Sequence, residues 1–361
     1  MKVCVLLVDR ANYGRLLPVM EAIAECEQLT LQVVCAGTMS LPRFGRCVDL
    51  VRSDGFAVDA ELCHEHEGNS HLAMACACGS VMPLFAHTLE RLRPDMLLMI
   101  GDRYEALGAA AAAHLMNIPI MHFQGGETSE CVDHRTRNAI TAMATWHVPA
   151  TEAAALAVGR MTGKPDGIVA VGCPASDLAA EVFADLDEDG QPSGPLLVSF
   201  HPNTTEHADK RTQMRALLNA IKDVPHEVDL LWPNIDPGSD EIHQETRTFL
   251  KKPRDWLRTY KNLAPRDYMA KLANTRCAIG NSSSFVRDST FFGTPVVLVG
   301  SRQNGRETGA NVMQTSCDAA NIRACIESQL SVGRTTEPSS LYGDGTVSEQ
   351  VVSFLLNGVR Q

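Results

Sequence analysis

The amino-acid sequence predicts an α/β protein built from two similar parallel-sheet domains. Three observations predict it. Short runs rich in Val, Ile and Leu recur, each ending at a glycine or a charged turn, with helical stretches between them. These runs are apolar throughout rather than alternating, as strands buried on both faces are. The chain has 361 residues, and at roughly 100–200 residues per domain that is enough for two.

Taken in order, residues 3–8 form the first strand, followed by polar Asp9-Arg10 and a helical stretch over 16–26. Residues 31–35 form the second strand and end at Gly37. After a helix at 82–92 comes a third strand, 96–100, which ends at Gly101-Asp102-Arg103. A helix at 106–116 leads to a fourth strand, 119–123, ending at Gly125-Gly126, and residues 168–171 read as a fifth, ending at Gly172. Around 175–195 the pattern loosens into an acidic, Pro/Gly-rich stretch. A second series then starts, with strands at 196–200, 228–232, 277–279 and 296–300. We expect an N-terminal domain at 1–174 and a C-terminal one at 175–346, with the terminal helix (347–361) packing back on the first.

A formal net charge of −11 argues against sequence-independent binding to nucleic acid or to an anionic membrane, since both need a basic surface. It does not exclude an anionic small substrate, which a few placed arginines decide locally. The 12 cysteines are scattered, mostly inside apolar runs. Cys76 and Cys78 lack zinc-ligand spacing and have no second pair. We expect buried free thiols in a reducing compartment. The short N-terminal run meets Asp9-Arg10 at once, unlike a signal peptide. The longest apolar candidate, 106–121, is interrupted by Gly108, His114, Asn117 and Pro119. No run is expected to reach the roughly 18 residues of a spanning helix, so a cytoplasmic protein without a membrane partner is expected.

Two α/β domains joined by a hinge place a ligand in the crevice at the carboxyl ends of the strands. Asp9-Arg10-Ala-Asn-Tyr-Gly14-Arg15 reads as a turn into a helix N-terminus, with Arg10 clamping phosphate, or as a solvated surface turn. No G-x-G-x-x-G is present, which argues against a dinucleotide. Asp102, Arg103 and Glu105 at the next strand end suit acid/base work or substrate hydroxyls; Asp102 also reads as a helix N-cap. Gln124-Gly125-Gly126-Glu127 offers paired glycines, where a ligand can approach the backbone, and a carboxylate beside them. Asp133 and Arg137, four apart, share a helix face, as a functional pair or a plain ion pair.

In the second half, His201 reads as a diphosphate partner or a local hydrogen-bond partner, and Asn234 lies in a polar loop after a strand. Gly280-Asn281-Ser282-Ser283-Ser284 is the strongest single feature, because small hydroxyl residues with free N–H groups at a helix N-terminus bind phosphate. Asp288 follows within that helix, within reach of ribose hydroxyls. Arg302 and Arg306, after the last strand, again suit an anion. The set as a whole suits a nucleoside diphosphate-sugar.

Asp9-Arg-Ala-Asn-Tyr, Gly101-Asp-Arg, Gly125-Gly-Glu, Asn138-Ala-Ile-Thr, His201-Pro-Asn-Thr-Thr, Pro233-Asn-Ile-Asp, Gly280-Asn-Ser-Ser and Gly300-Ser-Arg-Gln-Asn-Gly-Arg-Glu-Thr-Gly together resemble the hydrolysing UDP-N-acetylglucosamine 2-epimerases. The resemblance runs in order over nearly the whole chain. It implies two Rossmann-like domains in a glycosyltransferase-B-like fold, with the active site in the interdomain cleft, and a homodimer or homotetramer. It also implies conversion of UDP-N-acetylglucosamine to N-acetylmannosamine plus UDP in sialic-acid-type synthesis, without a cofactor or a metal. By resemblance, Arg10, His201, Ser282, Ser283 and Arg302 hold the diphosphate, with Ser284 beside them, and Asp288 holds the ribose. Arg103, Gln124 and Asn234 line the sugar or phosphate region. Asp102, Glu127, Asp133 and Arg137 carry proton transfer and its support, and His201 counts with them as a catalytic candidate.

The chain departs from the family at Gln124, where Glu or His is usual, and at Ile100, Met39, Asn138 and Thr145, which stand in histidine positions. Phe285 and Asp288 stand where Gly and Glu are usual. The nucleotide half is better kept than the catalytic half. A related substrate, a 2,4-diacetamido-trideoxy sugar nucleotide, is the alternative. A glycosyltransferase or a non-catalytic sugar-nucleotide binder on the same fold are further ones.

Overall fold

Val3, Val5 and Leu7 face one way along the first strand and pack with one set of helices, while Cys4, Leu6 and Val8 face the other and pack with a second set. All six are at most 1% exposed. This two-sided burial makes the run continuously apolar. The computed structural model describes residues 1–64, 70–185, 192–206, 209–334 and 339–358. Most of the acidic stretch expected after 185 lies outside the described residues.

The described chain falls into two units. Unit 1 is Met1–Glu127, Val132–Leu178 and Gly343–Gln361; unit 2 is Thr128–Cys131 and Ala179–Tyr342. Unit 1 runs β1 (Lys2–Leu7), α1 (Arg10–Glu25), β2 (Thr30–Cys35), α2 (Cys47–Ser53), β3 (Ala60–Glu61), α3 (His71–Leu92), β4 (Met96–Ile100), α4 (Tyr104–Leu115), β5 (Ile120–Phe123), α5 (Asp133–Met143), β6 (Trp146–Val148) and α6 (Glu152–Thr162). The chain crosses between the units within α7 (Ala175–Ala184). Unit 2 continues with β7 (Leu196–Ser199), α8 (Lys210–Ile221), β8 (Val228–Leu231), α9 (Ser239–Leu250), β9 (Leu257–Tyr260), α10 (Pro265–Asn274), β10 (Ala278–Gly280), α11 (Ser284–Phe292), β11 (Val296–Val299), β12 (Val312–Thr315) and α12 (Ala319–Val332). The final helix, α13 (Val347–Asn357), returns to unit 1. There Asp177 accepts hydrogen bonds from the Val347 and Ser348 amides at 2.9 and 2.6 Å, satisfying donors that α13 leaves open.

Each unit holds one six-stranded parallel sheet, ordered β3-β2-β1-β4-β5-β6 and β12-β11-β10-β7-β8-β9. In each, the order reverses beside the first strand formed, the topological switch point of an open α/β sheet. In unit 1, α1, α2 and α13 supply the core on one face and α3, α4 and Ile140 of α5 on the other. In unit 2, Leu196 and Val198 pack with Leu217, Ile242 and Ile322 on one face.

The structure corrects several expected elements. Helix α1 begins at Arg10, not 16, because the Asp9 carboxylate caps it by accepting from the Asn12 amide at 2.8 Å. Residues 9–15 are therefore a cap and the opening of a helix rather than a turn. Residues 168–171 form no strand; Ile168 makes an isolated bridge to His147, and β6 supplies the sheet's last strand. Helix α3 contains an 18-residue window of mean hydropathy 1.5, so by length and composition it is long and apolar enough to cross a membrane. No uninterrupted apolar run marks this helix, because α3 contains Gly79, Ser80 and Pro83. In the structure its Val81, Phe85, Leu89 and Leu92 pack into the unit 1 core. All 12 cysteines are free, but Cys63 and Cys76 are exposed rather than buried.

Candidate functional site: two strand-end constellations

In unit 1 the polar groups gather after β1, β4 and β5. Arg137, on the buried face of α5, is 1% exposed. One end of its guanidinium pairs with the Asp102 carboxylate, and Nη1 donates to the Glu127 carbonyl at 2.6 Å. A buried guanidinium is tolerated only when its charge and donors are engaged. Arg137 thereby ties together the β4 end, the loop after β5, and α5. Asp102, read as an N-cap, is not one: Arg103 occupies that position, without a side-chain cap bond. Asp133 is the first residue of α5.

His122 on β5 is bonded to the backbone and side chain beside this pair. His122 is 0% exposed. Its Nε2 lies 2.7 Å from the Gly101 carbonyl, so that nitrogen carries the proton and donates. Nδ1 faces the Thr141 hydroxyl at 3.1 Å, which is also 2.9 Å from the Arg137 carbonyl. Burial pushes the His122 pKa down to about 4, and that of its neighbour across the strand pair, His147, likewise. With its pKa pushed down by burial, His122 is neutral near pH 7. The path Gly101–His122–Thr141–Arg137–Asp102 closes on itself, so one imidazole sets the spacing on which the Asp102–Arg137 pair depends.

The paired glycines serve packing of the chain. A Cβ at Gly125 would lie 2.8 Å from Thr141 Oγ1, and one at Gly126, where φ is +83°, 2.2 Å from the Ala154 carbonyl oxygen. The close approach expected of a ligand is made by the protein itself. Gln124 stands in the left-handed region at φ +64° and is 3% exposed. Its Nε2 donates to the Cys173 sulfur at 3.1 Å. Arg10 is the first residue of α1 and half-buried. Arg103 is 8% exposed; its Nε and Nη2 donate to the Glu105 carboxylate at 3.1 and 2.9 Å, with Asp9 4.0 Å away.

In unit 2 the groups follow β7, β8, β10 and β11. The His201 amide donates to Asn281 Oδ1 at 2.7 Å, and Asn281 Nδ2 returns a bond to the His201 carbonyl at 2.8 Å. This reciprocal pair locks the β7 end to the β10 end. His201 Nδ1 accepts from the Asn234 amide at 3.5 Å, leaving Nε2 to donate to Ser199 Oγ at 3.3 Å. Ser283 caps α11 without a side-chain hydrogen bond, while Ser282 Oγ accepts from the Ser284 amide at 3.4 Å. Ser284 is buried, and its hydroxyl accepts from Tyr268 at 2.6 Å. Ser282 and Ser283 are thus the more open of the three. Arg302 Nη1 and Gln303 Nε2 both donate to the Asn281 carbonyl, at 3.3 and 2.8 Å. Asp288 lies within α11, 7% exposed.

The candidates therefore sort by unit: Arg10, Asp102, Arg103, Gln124, Glu127, Asp133 and Arg137 in unit 1, and His201, Asn234, Ser282, Ser283, Ser284, Asp288 and Arg302 in unit 2. Direct bonds join Asp102, Arg137 and Glu127, and separately His201, Asn234, Asn281 and Arg302.

Two parallel six-stranded sheets with flanking helices define a two-domain fold of the glycosyltransferase-B-like class. The family model described as UDP-N-acetylglucosamine 2-epimerase matches residues 21–356, and the chain belongs to that family. It is 30% identical to the UDP-N,N'-diacetylbacillosamine 2-epimerase (hydrolyzing) of Legionella pneumophila, covering 96% of this chain and 93% of that one. It is 26% identical to the UDP-N-acetylglucosamine 2-epimerase of Neisseria meningitidis, over 93% and 89%. The crystal structure of a Neisseria meningitidis UDP-GlcNAc 2-epimerase bound to UDP-GlcNAc superposes with a TM-score of 0.78 at 15% identity, covering 99% of this chain and 100% of that one. The Methanocaldococcus jannaschii enzyme in complex with UDP-GlcNAc and UDP gives 0.77 at 14%, covering 99% of each.

Proposed function

We propose that the protein is a hydrolysing 2-epimerase that converts UDP-N-acetylglucosamine to N-acetylmannosamine and UDP, feeding sialic-acid-type synthesis in the cytoplasm. The observation that carries the reading is the Asp102–Arg137 pair, which joins the end of β4 to the middle of α5 beside buried neutral His122. Removal of the C2 proton needs a general base within reach of it, and the buried Arg137 guanidinium holds the Asp102 carboxylate in one orientation. Gln124 cannot accept that proton, which leaves Asp102, Glu127 and Asp133 as the carboxylates for it.

In this reading unit 2 holds the diphosphate. His201, Ser282, Ser283 and Arg302 supply N–H and O–H donors and one cation, which stabilise negative charge as UDP leaves C1. Ser284 and Asn234 support them, Arg10 adds a second cation and Asp288 meets the ribose. Elimination breaks the C1–O bond as the C2 proton goes to the base, giving a glycal and UDP. Water then adds at C1, and C2 is reprotonated from the other face. Twelve free thiols support a reducing compartment.

The Legionella relative favours a second substrate, a UDP-linked 2,4-diacetamido-trideoxy sugar, with the same chemistry. Incubating the protein separately with the two UDP-sugars and identifying products by NMR decides between them. UDP with free N-acetylmannosamine is the expected result. Turnover of the diacetamido sugar alone reassigns the substrate, and UDP binding without turnover of either overturns the enzymatic reading.

A further inference from the structure

Glu105 is the second residue of α4 and is 0% exposed. Both its carboxylate oxygens meet Arg103: Oε2 accepts from Nε at 3.1 Å and Oε1 from Nη2 at 2.9 Å. A two-point bond of this kind fixes a guanidinium in orientation as well as position. Asp9, itself locked by capping α1, stands 4.0 Å from Nε. The Arg103 guanidinium also lies 4.7 Å from the Tyr104 ring centroid.

The surrounding chain is built to accept this carboxylate. At Gly37, where φ is +57°, a Cβ would lie 2.5 Å from the Val8 carbonyl oxygen and 3.2 Å from Glu105 Oε1. The Gly37 amide donates to His64 Nε2 at 3.0 Å, so the proton sits on Nδ1, which donates to the Ala77 carbonyl at 3.2 Å. A fully buried carboxylate is costly unless each oxygen is bonded, and Arg103 supplies both bonds. Burial raises the Glu105 pKa, and Arg103 acts against that rise.

We propose that Glu105 is the positioning residue of Arg103: by holding the Nε–Nη2 edge it fixes the guanidinium in place and in plane at the β4 end. This rests on the sugar-nucleotide reading, in which Arg103 lines the sugar or phosphate region. Glutamine at 105 puts an N–H₂ against a donor of Arg103 and releases the fork. Aspartate keeps the charge but is one methylene too short to hold both nitrogens.

The test is a double-mutant cycle on kcat, KM and UDP affinity, using wild type, Glu105→Gln, Arg103→Lys and the pair. Glu105→Asp is a second variant that keeps the charge should Glu105→Gln melt early. Loss of the two-point bond should lower kcat/KM for the UDP-sugar about ten- to a hundred-fold in Glu105→Gln, and less in Glu105→Asp. UDP affinity should stay within about two-fold, and the double variant should be little worse than Arg103→Lys alone. Unchanged kcat/KM in Glu105→Gln, or losses that simply add, overturns the positioning role while wild-type turnover leaves the epimerase reading standing. If wild type turns over neither sugar nucleotide, the epimerase reading fails and the cycle is read in affinity for UDP-sugar against UDP. Additive effects there overturn the proposal, and so does wild-type protein that binds no UDP-sugar.

Discussion

The two units use the same architecture and furnish their strand ends differently. Unit 1 gathers carboxylates, Asp9, Asp102, Glu105, Glu127 and Asp133, with Arg103 and Arg137 engaged by them. At its strand ends unit 2 gathers mainly neutral donors, Asn281, Ser282, Ser283, Asn234 and Gln303, with His201 and Arg302 among them. One arrangement gathers groups that can take up and return a proton. The other suits receiving a diphosphate, because amide and hydroxyl donors accept negative charge without bringing their own. The two sheets share one strand order, and the units differ in the few residues that follow each strand.

The comparison breaks most sharply at Asp102. Asp102→Asn should lower turnover by about a thousand-fold, the size of a lost general base, with UDP affinity kept within about two-fold. Kinetics beside UDP titration calorimetry check it, and parallel losses in both would erase the distinction between the units.

Next in size is the pH dependence of unit 1. His122 and His147 titrate near 4 when folded against about 6.5 when unfolded. Their folded-state pKa values are lowered, so the stability they hold is intact above 6.5 and lost as pH falls toward 4. Between pH 7 and pH 5 each should cost about 2 kcal/mol. Urea unfolding at the two pH values measures it, and a flat profile would remove both histidines from the buried neutral state.

Arg302→Ala should then weaken UDP binding about ten-fold, the worth of one charged hydrogen bond to phosphate, without altering the isotope pattern at C2. Unchanged UDP affinity would take Arg302 out of the anion pole. The smallest effect expected is that of Arg10→Ala, a few-fold in UDP affinity, because its cation stands in the carboxylate-rich unit. A loss larger than that of Arg302→Ala would show that unit 1 shares in holding the anion.

How far the sequence carried this account varies by feature. Strands β1, β2, β4, β5, β7, β8, β10 and β11 were legible, because burial on both faces makes them continuously apolar. Strands β3, β6, β9 and β12 were not: all four lie at sheet edges, β3 and β6 are only two and three residues long, and Leu-Arg-Thr-Tyr or Val-Met-Gln-Thr carries no such run. The strand-end positions of Asp102, Gln124, His201 and the serine run were legible from the glycines and turns beside them. The partnership of Asp102 with Arg137 was not, because it spans 35 positions and depends on sheet order rather than spacing. His122 lies within β5 and Glu105 just after Arg103, but only buried geometry shows what each holds in place.

The most direct test of proton chemistry by unit 1 is turnover of UDP-N-acetylglucosamine in deuterated water, followed by proton NMR of the released sugar. The account predicts UDP together with N-acetylmannosamine carrying deuterium at C2. Release of sugar that keeps its original C2 hydrogen would contradict it.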